Sequence, residues 1–154
     1  MYKGIIMKIY ETKLNDDLLK KLILFSEEWE KESCTYGYYK NQKEDIEGNR
    51  IFIAEENSQI IGYLFATEKI SEKDSSIIKK SEKYMEIEEI YIAKEQRKKG
   101  IGQELFKAAE KNFKNEGYNQ IILTAANRNY KALLHFYIDE LDMNLWNATL
   151  FKKL

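Results

Sequence analysis

The chain has 154 residues, 44% of them hydrophobic and 13% aromatic, enough for one domain with a packed core and too many for a disordered chain. Its 25 basic and 26 acidic side chains leave a formal net charge of −1, a balance that argues against a nucleic-acid binder built on phosphate contacts. No run of about 18 apolar residues exists, so no membrane span is predicted, and the single cysteine, Cys34, excludes an intramolecular disulfide and suits a reducing cytoplasm.

Ile5 to Tyr10 reads as a first strand. The N-terminal segment lacks a signal-peptide pattern, and Met7 offers a second possible start. Asn15-Asp16-Asp17 supplies a helix cap and an acidic first turn, and Leu18, Leu22, Phe25 and Trp29 follow at helical spacing, so a helix is predicted to about Lys31. Glu32 to Gly48 is irregular, with a short helix expected near Gln42 to Glu47. Its Tyr36, Tyr38 and Tyr39 either line a pocket for a cationic amine or pack against the rim of the domain. Cys34 has no base assigned to it by the sequence and reads as structural.

Arg50 to Glu56 and Ile60 to Thr67 form a predicted antiparallel hairpin around Asn57-Ser58-Gln59, with Gly62 marking a bulge or a close backbone approach. The polar run Glu68 to Lys83 reads as an exposed loop, either a hairpin tip or a cover for a binding site. With no proline anywhere, turns rest on Gly, Asn, Asp and Ser.

Met85 to Ala93 (MEIEEIYIA) reads as a strand, and Gln103 to Asn115 as a helix with Leu105, Phe106, Ala109 and Phe113 on one face and Gly117 as its stop. Between them lies Arg97-Lys98-Lys99-Gly100-Ile101-Gly102. Glycines without side chains let N–H groups approach a ligand, the helix N-terminus adds partial positive charge, and three basic residues favour an anion such as a pyrophosphate. The Rossmann and Walker glycine patterns are both absent. Gln120 to Ala126 then reads as a buried strand, Asn129 to Leu141 as a helix with Leu133, Phe136, Tyr137 and Leu141 on one face, and Asn147 to Leu154 as a closing strand. Strands and helices mix within one sheet, an α/β class, and neither repeat nor linker divides the chain.

Arg97-x-x-Gly100-x-Gly102, set after an acidic strand and before an amphipathic helix, resembles the acetyl-CoA loop of the GCN5-related N-acetyltransferase (GNAT) family. The element order matches that family over nearly the whole chain. The resemblance implies a single GNAT-like domain over residues 1–154, with a mixed, mostly antiparallel central sheet flanked by helices. It implies an N-acetyltransferase that moves an acetyl group from acetyl-CoA to a small-molecule or peptide amine by direct attack in a ternary complex. No metal is expected, since no His/Cys cluster exists. A homodimer joined through the terminal strand is a further possibility the resemblance raises. An acyl-CoA sensor with little catalysis is the competing reading.

Within that resemblance, Ile90, Tyr91 and Ile92 offer backbone groups to the pantetheine arm, and Arg97, Lys98, Lys99, Gly100, Ile101, Gly102 and Gln103 hold the pyrophosphate. Amine acetylation needs a proton acceptor, because an amine with a pKa near ~10.4 arrives charged. Strand alternation sets Glu86 and Glu88 on one face and Glu89 on the other. Glu88 is the favoured base or water-orienting group, with Glu89 second. Phe136-Tyr137 matches the family's Phe-Tyr pair, which makes Tyr137 the expected proton donor to the departing thiolate. Asn129 is the expected coenzyme-contacting asparagine, in competition with Asn127. Against the family spacing Tyr137 falls one residue late, and Asp142-Met143 replaces the usual Gly-Phe after the helix. His135, the one histidine, reads as a surface or partly buried helix residue.

Overall fold

The structure is a computed structural model that describes residues 7–154. Ile5 and Ile6, the start of the predicted first strand, lie outside the described residues, and β1 runs Met7–Thr12. The order continues α1 (Asp16–Glu32), α2 (Lys43–Ile46), β2 (Arg50–Glu56), β3 (Gln59–Ile70), β4 (Lys83–Ile92), α3 (Ile101–Asn115), β5 (Ile121–Ile122) and α4 (Tyr130–Leu134), which passes directly into a π-helical segment, His135–Glu140. The strands lie side by side in chain order, antiparallel from β1 to β4 and parallel between β4 and β5.

Each face of this sheet carries one long helix, and the sequence explains which. Asn15 caps α1 by accepting from Leu18 N–H at 2.9 Å, and Leu18, Leu22 and Phe25 then bury one stripe against Ile51, Ile53, Tyr63, Phe65 and Tyr91. On the other face Leu105, Phe106, Ala109 and Phe113 of α3 pack on Phe52, Ala54, Leu64, Met85 and Ile87. β2 and β3 are joined by Asn57 and Ser58, both at positive φ (50° and 64°), the geometry that matches the twist of a two-residue hairpin. Gly62 is a close-approach glycine: a Cβ there would sit 2.8 Å from the Tyr91 carbonyl oxygen and 2.6 Å from Ile92 Cδ1.

The polar run is the tip of the β3–β4 hairpin, residues 71–82: Ser71 and Ser81 bond across its base, Ile78 is buried, and Gln120 Nε2 donates to Ile77 O at 2.7 Å. Three expectations need correction. Of the strand expected over Gln120 to Ala126, only Ile121–Ile122 pairs, because β4 bends away just beyond that point. The helix expected over Asn129 to Leu141 starts as an α-helix and winds wider from His135 onward. Asn147 to Leu154 forms no strand. Its apolar residues fall at 148, 150, 151 and 154, not in alternation, and Phe151 turns instead onto Tyr36, edge to face at 5.1 Å.

Candidate functional site

The site begins with a fault in a ladder. β4 pairs with β3 in register from Lys83 to Ile87, then skips one residue: Ala66 faces Ile87 while Phe65 faces Glu89. Glu88 is the extra residue, a β-bulge that bends the strand. The β4–β5 ladder ends at Glu86 and Ile122, immediately before the bulge. Beyond it the two strands part. Ile87–Ile90 and Leu123–Asn127 line the two sides of a cleft of about 290 Å³, with Trp29, Tyr36 and Tyr38 at one end and Leu133 and Tyr137 at the other. A larger groove of about 720 Å³, between the C-terminal half of α3 and Leu141–Trp146, holds none of the candidate site residues.

The bulge also overturns the expected parity. Glu88 and Glu89 do not point to opposite faces; both line the cleft, because an inserted residue breaks the alternation. Their surroundings differ sharply. Glu88 is exposed, accepts from Thr67 Oγ1 at 2.7 Å and pairs with Lys69 Nζ at 3.3 Å, a cation it shares with Glu86. Glu89 is sunk among the α1-side aromatics, where Oε2 accepts from Asn41 Nδ2 at 3.0 Å and from the Tyr63 hydroxyl at 2.9 Å. Burial raises the Glu89 pKa above the usual carboxylate range, the two hydrogen bonds oppose that rise, and the nearby charges of Asp45 and Glu88 add to it.

The bulge fixes which peptide groups of β4 stay free. Tyr91 faces Tyr63 in the β3 ladder and its carbonyl points at Gly62, so alternation turns the peptide groups of Ile90 and Ile92 to the open edge. The Ile92 carbonyl is already taken by Arg97 Nε at 2.9 Å. The rest of the Arg97 guanidinium grips Glu32 through two bonds of 2.7 Å and lies over the Tyr91 ring. Arg97 therefore ties the loop to β4 and to the end of α1. Lys98 and Gly100 both take left-handed backbone, φ 63° and 78°, and no side chain caps the first turn of α3, so its leading N–H groups stay unpaired by a cap. Gly102 packs under the Phe136 ring, 3.4 Å from where a Cβ would stand. Gln103 Nε2 reaches the Glu140 carbonyl at 3.1 Å and so ties α3 to the π-helical segment.

That segment carries Tyr137. A π turn accommodates one more residue than an α turn, and such insertions recur at functional sites. Tyr137 lies within the wider winding of His135–Glu140 and lines the cleft. Tyr137 packs with the α3-side core, so it and Glu89 reach the cleft from opposite faces of the sheet. Burial pushes its phenol up to about 12. The two asparagines sit at the start of α4. Asn129 Oδ1 accepts from Ala132 N–H at 3.2 Å and Asn127 Oδ1 from Asn129 N–H at 2.8 Å, and of the two Asn127 lines the cleft. His135 is exposed and bonds Asp139 at 2.8 Å, away from these groups.

Tyr63 was not among the sequence candidates for the site, and Trp29 and Asn41 lie in the stretch Trp29 to Gly48 that the sequence offers for acceptor selection without singling either out. Nothing local marks them: Asn41 and Tyr63 lie 48 and 26 residues from the carboxylate they hold.

A carboxyl on one wall, a phenol on the other and a strand edge with free peptide groups between them suit the transfer of a carbonyl-bound group to a nucleophile. The class so defined is acyl transfer. The model of the acetyltransferase (GNAT) family matches residues 17–140, and the chain belongs to that family. Solved structures share the fold at low identity. The aminoglycoside acetyltransferase HMB0005 from an uncultured soil metagenomic sample is 17% identical, with 97% of each chain covered and a TM-score of 0.68. A possible acetyltransferase from Clostridium difficile 630 is 16% identical over 96% of this chain and 97% of that one, TM-score 0.68. AAC(6')-Iy, solved in complex with the bisubstrate analog CoA-S-monomethyl-acetylneamine, is 16% identical over 97% and 98%, TM-score 0.67. A search of curated proteins found no match. Among the described residues no group of three or more His, Cys, Asp or Glu is arranged to hold a metal ion, and no helix is long and apolar enough to cross a membrane.

Proposed function

We propose that the protein transfers the acetyl group of acetyl-CoA to a primary amine that enters the cleft as a cation. The observation that carries this reading is the partly buried Glu89, with its raised pKa, in the same cleft as Tyr137. A carboxylate held above its usual range is a better proton acceptor near neutral pH than an ordinary one. Glu89 takes a proton from the amine, the freed nitrogen lone pair attacks the thioester carbon, and the carbon–sulfur bond breaks. The departing thiolate receives the Tyr137 proton, which burial keeps on the phenol until it is needed, and the second nitrogen proton, shed as the amide forms, restores the phenol. Glu88, exposed and paired with Lys69, supports a rim role instead. The open edge at Ile90 suits the amides of the pantetheine arm and the developing oxyanion, and the Lys98–Gln103 N–H groups suit the pyrophosphate.

The acceptor class follows from the walls. Two carboxylates and the rings of Trp29, Tyr36 and Tyr38 favour a cationic amine of the polyamine or aminoglycoside kind over an anionic or apolar one. The named substrates of the structural neighbours fit the same chemistry. Thiol release from acetyl-CoA against a panel of primary amines tests the proposal. Coenzyme binding with no amine-dependent release would favour a sensor and sink it.

A further inference from the structure

We propose that Asn41 is a positioning residue for Glu89: with the Tyr63 hydroxyl it holds Oε2 of that carboxylate, so that Oε1 alone stands open to the cleft and receives the amine proton. The proposal rests on the amine-acetylation reading above. Among the described residues, Ser26 and Asn41 are the two buried polar side chains apart from the tyrosines, and they are bonded to each other. Polar groups are costly to bury unless their bonds are met, and a network that meets them fixes one arrangement. This network ends on Glu89.

Helix α1 serves as its anchor. Ser26 follows Phe25 on the buried side of α1, where its hydroxyl donates to the Ile23 carbonyl at 2.7 Å and accepts from Asn41 N–H at 2.9 Å. One turn further on, Glu30 accepts from Lys40 N–H. Two successive peptide groups of the loop between α1 and α2 are thus pinned to one face of the helix. From that fixed backbone Asn41 Nδ2 reaches Glu89 Oε2 at 3.0 Å, and the Tyr63 hydroxyl reaches the same oxygen from β3 at 2.9 Å.

Both donors end on one oxygen. A carboxylate oxygen offers two lone pairs, and those of Oε2 are spent. Oε1 has no hydrogen-bond partner among the described residues and is not sealed from solvent, and Glu89 lines the cleft. A proton arriving from the cleft therefore settles on Oε1 and displaces no donor. The same two bonds favour the charged form against burial and against the charges of Asp45 on α2 and Glu88 on β4. Burial keeps the neighbouring phenols of Tyr63 and Tyr38 protonated through the neutral range, and Glu30 of α1 acts on Tyr38 in the same sense.

The test compares Asn41→Ala with Asn41→Asp on the full chain. Ala removes both the donor and the shape, whereas Asp keeps the shape, loses the donor and adds a charge. Two readouts should move to higher pH: the acid limb of the kcat/KM profile for butylamine, and the NMR titration of the Glu89 carboxyl, assigned by its loss in Glu89→Gln. For Asn41→Ala the expected shift is about one pH unit or more, the worth of a hydrogen bond to a charged group. Asn41→Asp should push the upper apparent pKa of the pair further still, because two carboxyls then share the site. In a Glu89→Gln background Asn41→Ala should change the rate by less than about twofold, since the group it acts through is gone. Tyr63→Phe, which keeps its ring and removes the other donor, should move both readouts the same way. An unmoved limb and titration in Asn41→Ala overturn the proposal. So does Asn41→Asp lying closer to wild type than Asn41→Ala, the order that shape alone would set. Should Asn41→Ala not fold, an unmoved titration in Tyr63→Phe overturns it instead. The expected Glu89 titrations in a chain that acetylates no amine would sink the transfer reading and leave the hold on Oε2 standing.

Discussion

Replacing Glu89 by Gln isolates the proton acceptor with little disturbance of shape. The glutamine carbonyl can still accept from Asn41 Nδ2 and the Tyr63 hydroxyl, so the α1-side packing survives. What is lost is the ability to take a proton inside the complex. The variant must wait for an amine that arrives neutral, and for a pKa near ~10.4 about one molecule in 10³ does so at pH 7.4. The rate should therefore fall about 10³-fold, within the usual contribution of a positioned base, or about 4 kcal/mol of barrier. The pH dependence carries the diagnosis. Wild type should gain activity as pH rises through the raised Glu89 pKa and then level off. The variant should climb about tenfold per pH unit across the neutral range, because neutral amine does. Thiol release at saturating acetyl-CoA from pH 6 to 9, with Glu88→Gln as the matched control, measures both. An unaltered profile in Glu89→Gln, or the loss appearing in Glu88→Gln instead, would refute the assignment. Stability supplies a second sign. A carboxyl whose pKa is raised by folding binds its proton more tightly in the folded state, so wild type loses stability as pH climbs from the unfolded pKa through the folded one. Glu89→Gln should lack that loss and gain on wild type from acid to neutral pH in urea titrations.

Tyr137→Phe should cost roughly 10² in kcat, the low end for acid catalysis, since a thiolate of pKa near ~8.5 is already a passable leaving group. Its KM for acetyl-CoA should not move, and a KM effect without a kcat effect would argue for packing alone. Gly62→Ala must displace Ile92 or the Tyr91 carbonyl, and overpacking of that kind costs about 1–3 kcal/mol, readable as a lower urea midpoint. Lys98→Gly relieves a side chain at φ 63° and should leave acetyl-CoA affinity intact if only the loop N–H groups bind, with stability raised by up to about 1 kcal/mol. A large loss of affinity in that variant would show that the lysine charge takes part.

Much of the frame was legible because it rests on local pattern. The stripe Leu18, Leu22, Phe25 and the stripe Leu105, Phe106, Ala109, Phe113 announce helices whatever they pack on, and Asn57-Ser58 announces a tight hairpin. The candidate residues of the cleft were legible as types but not as an arrangement. Alternation assigns Glu88 and Glu89 to opposite faces in any regular ladder, and only the pairing of β4 with β3 reveals the skipped residue. The buried partners of Glu89 come from a distant strand and a loop, so no window of sequence could rank it above Glu88. The pairing of Arg97 was hidden for a related reason: its residue type suits a phosphate, but its bidentate partner Glu32 lies 65 residues away at the end of α1.

The two irregularities at the cleft are the same device in different backbones. Glu88 is one residue too many for the β4 ladder, and His135–Glu140 winds with one residue more per turn than the helix that precedes it. Each surrenders regular hydrogen bonding locally, and each is held by tertiary contacts that a regular element would not need. Thr67 and Lys69 grip the bulge, while Gln103 and the Met143 N–H, which donates to the Tyr137 carbonyl at 3.0 Å, grip the wide turn. Without the bulge, Glu89 would turn away from Glu88 and β5 could continue along β4, closing the cleft. Without the π turn, Tyr137 would rotate by about 100°, one residue's worth of an α-helix, off the cleft wall. The acid and the base of the proposed reaction thus meet across a gap that exists because two elements each carry one residue their ideal geometry has no place for.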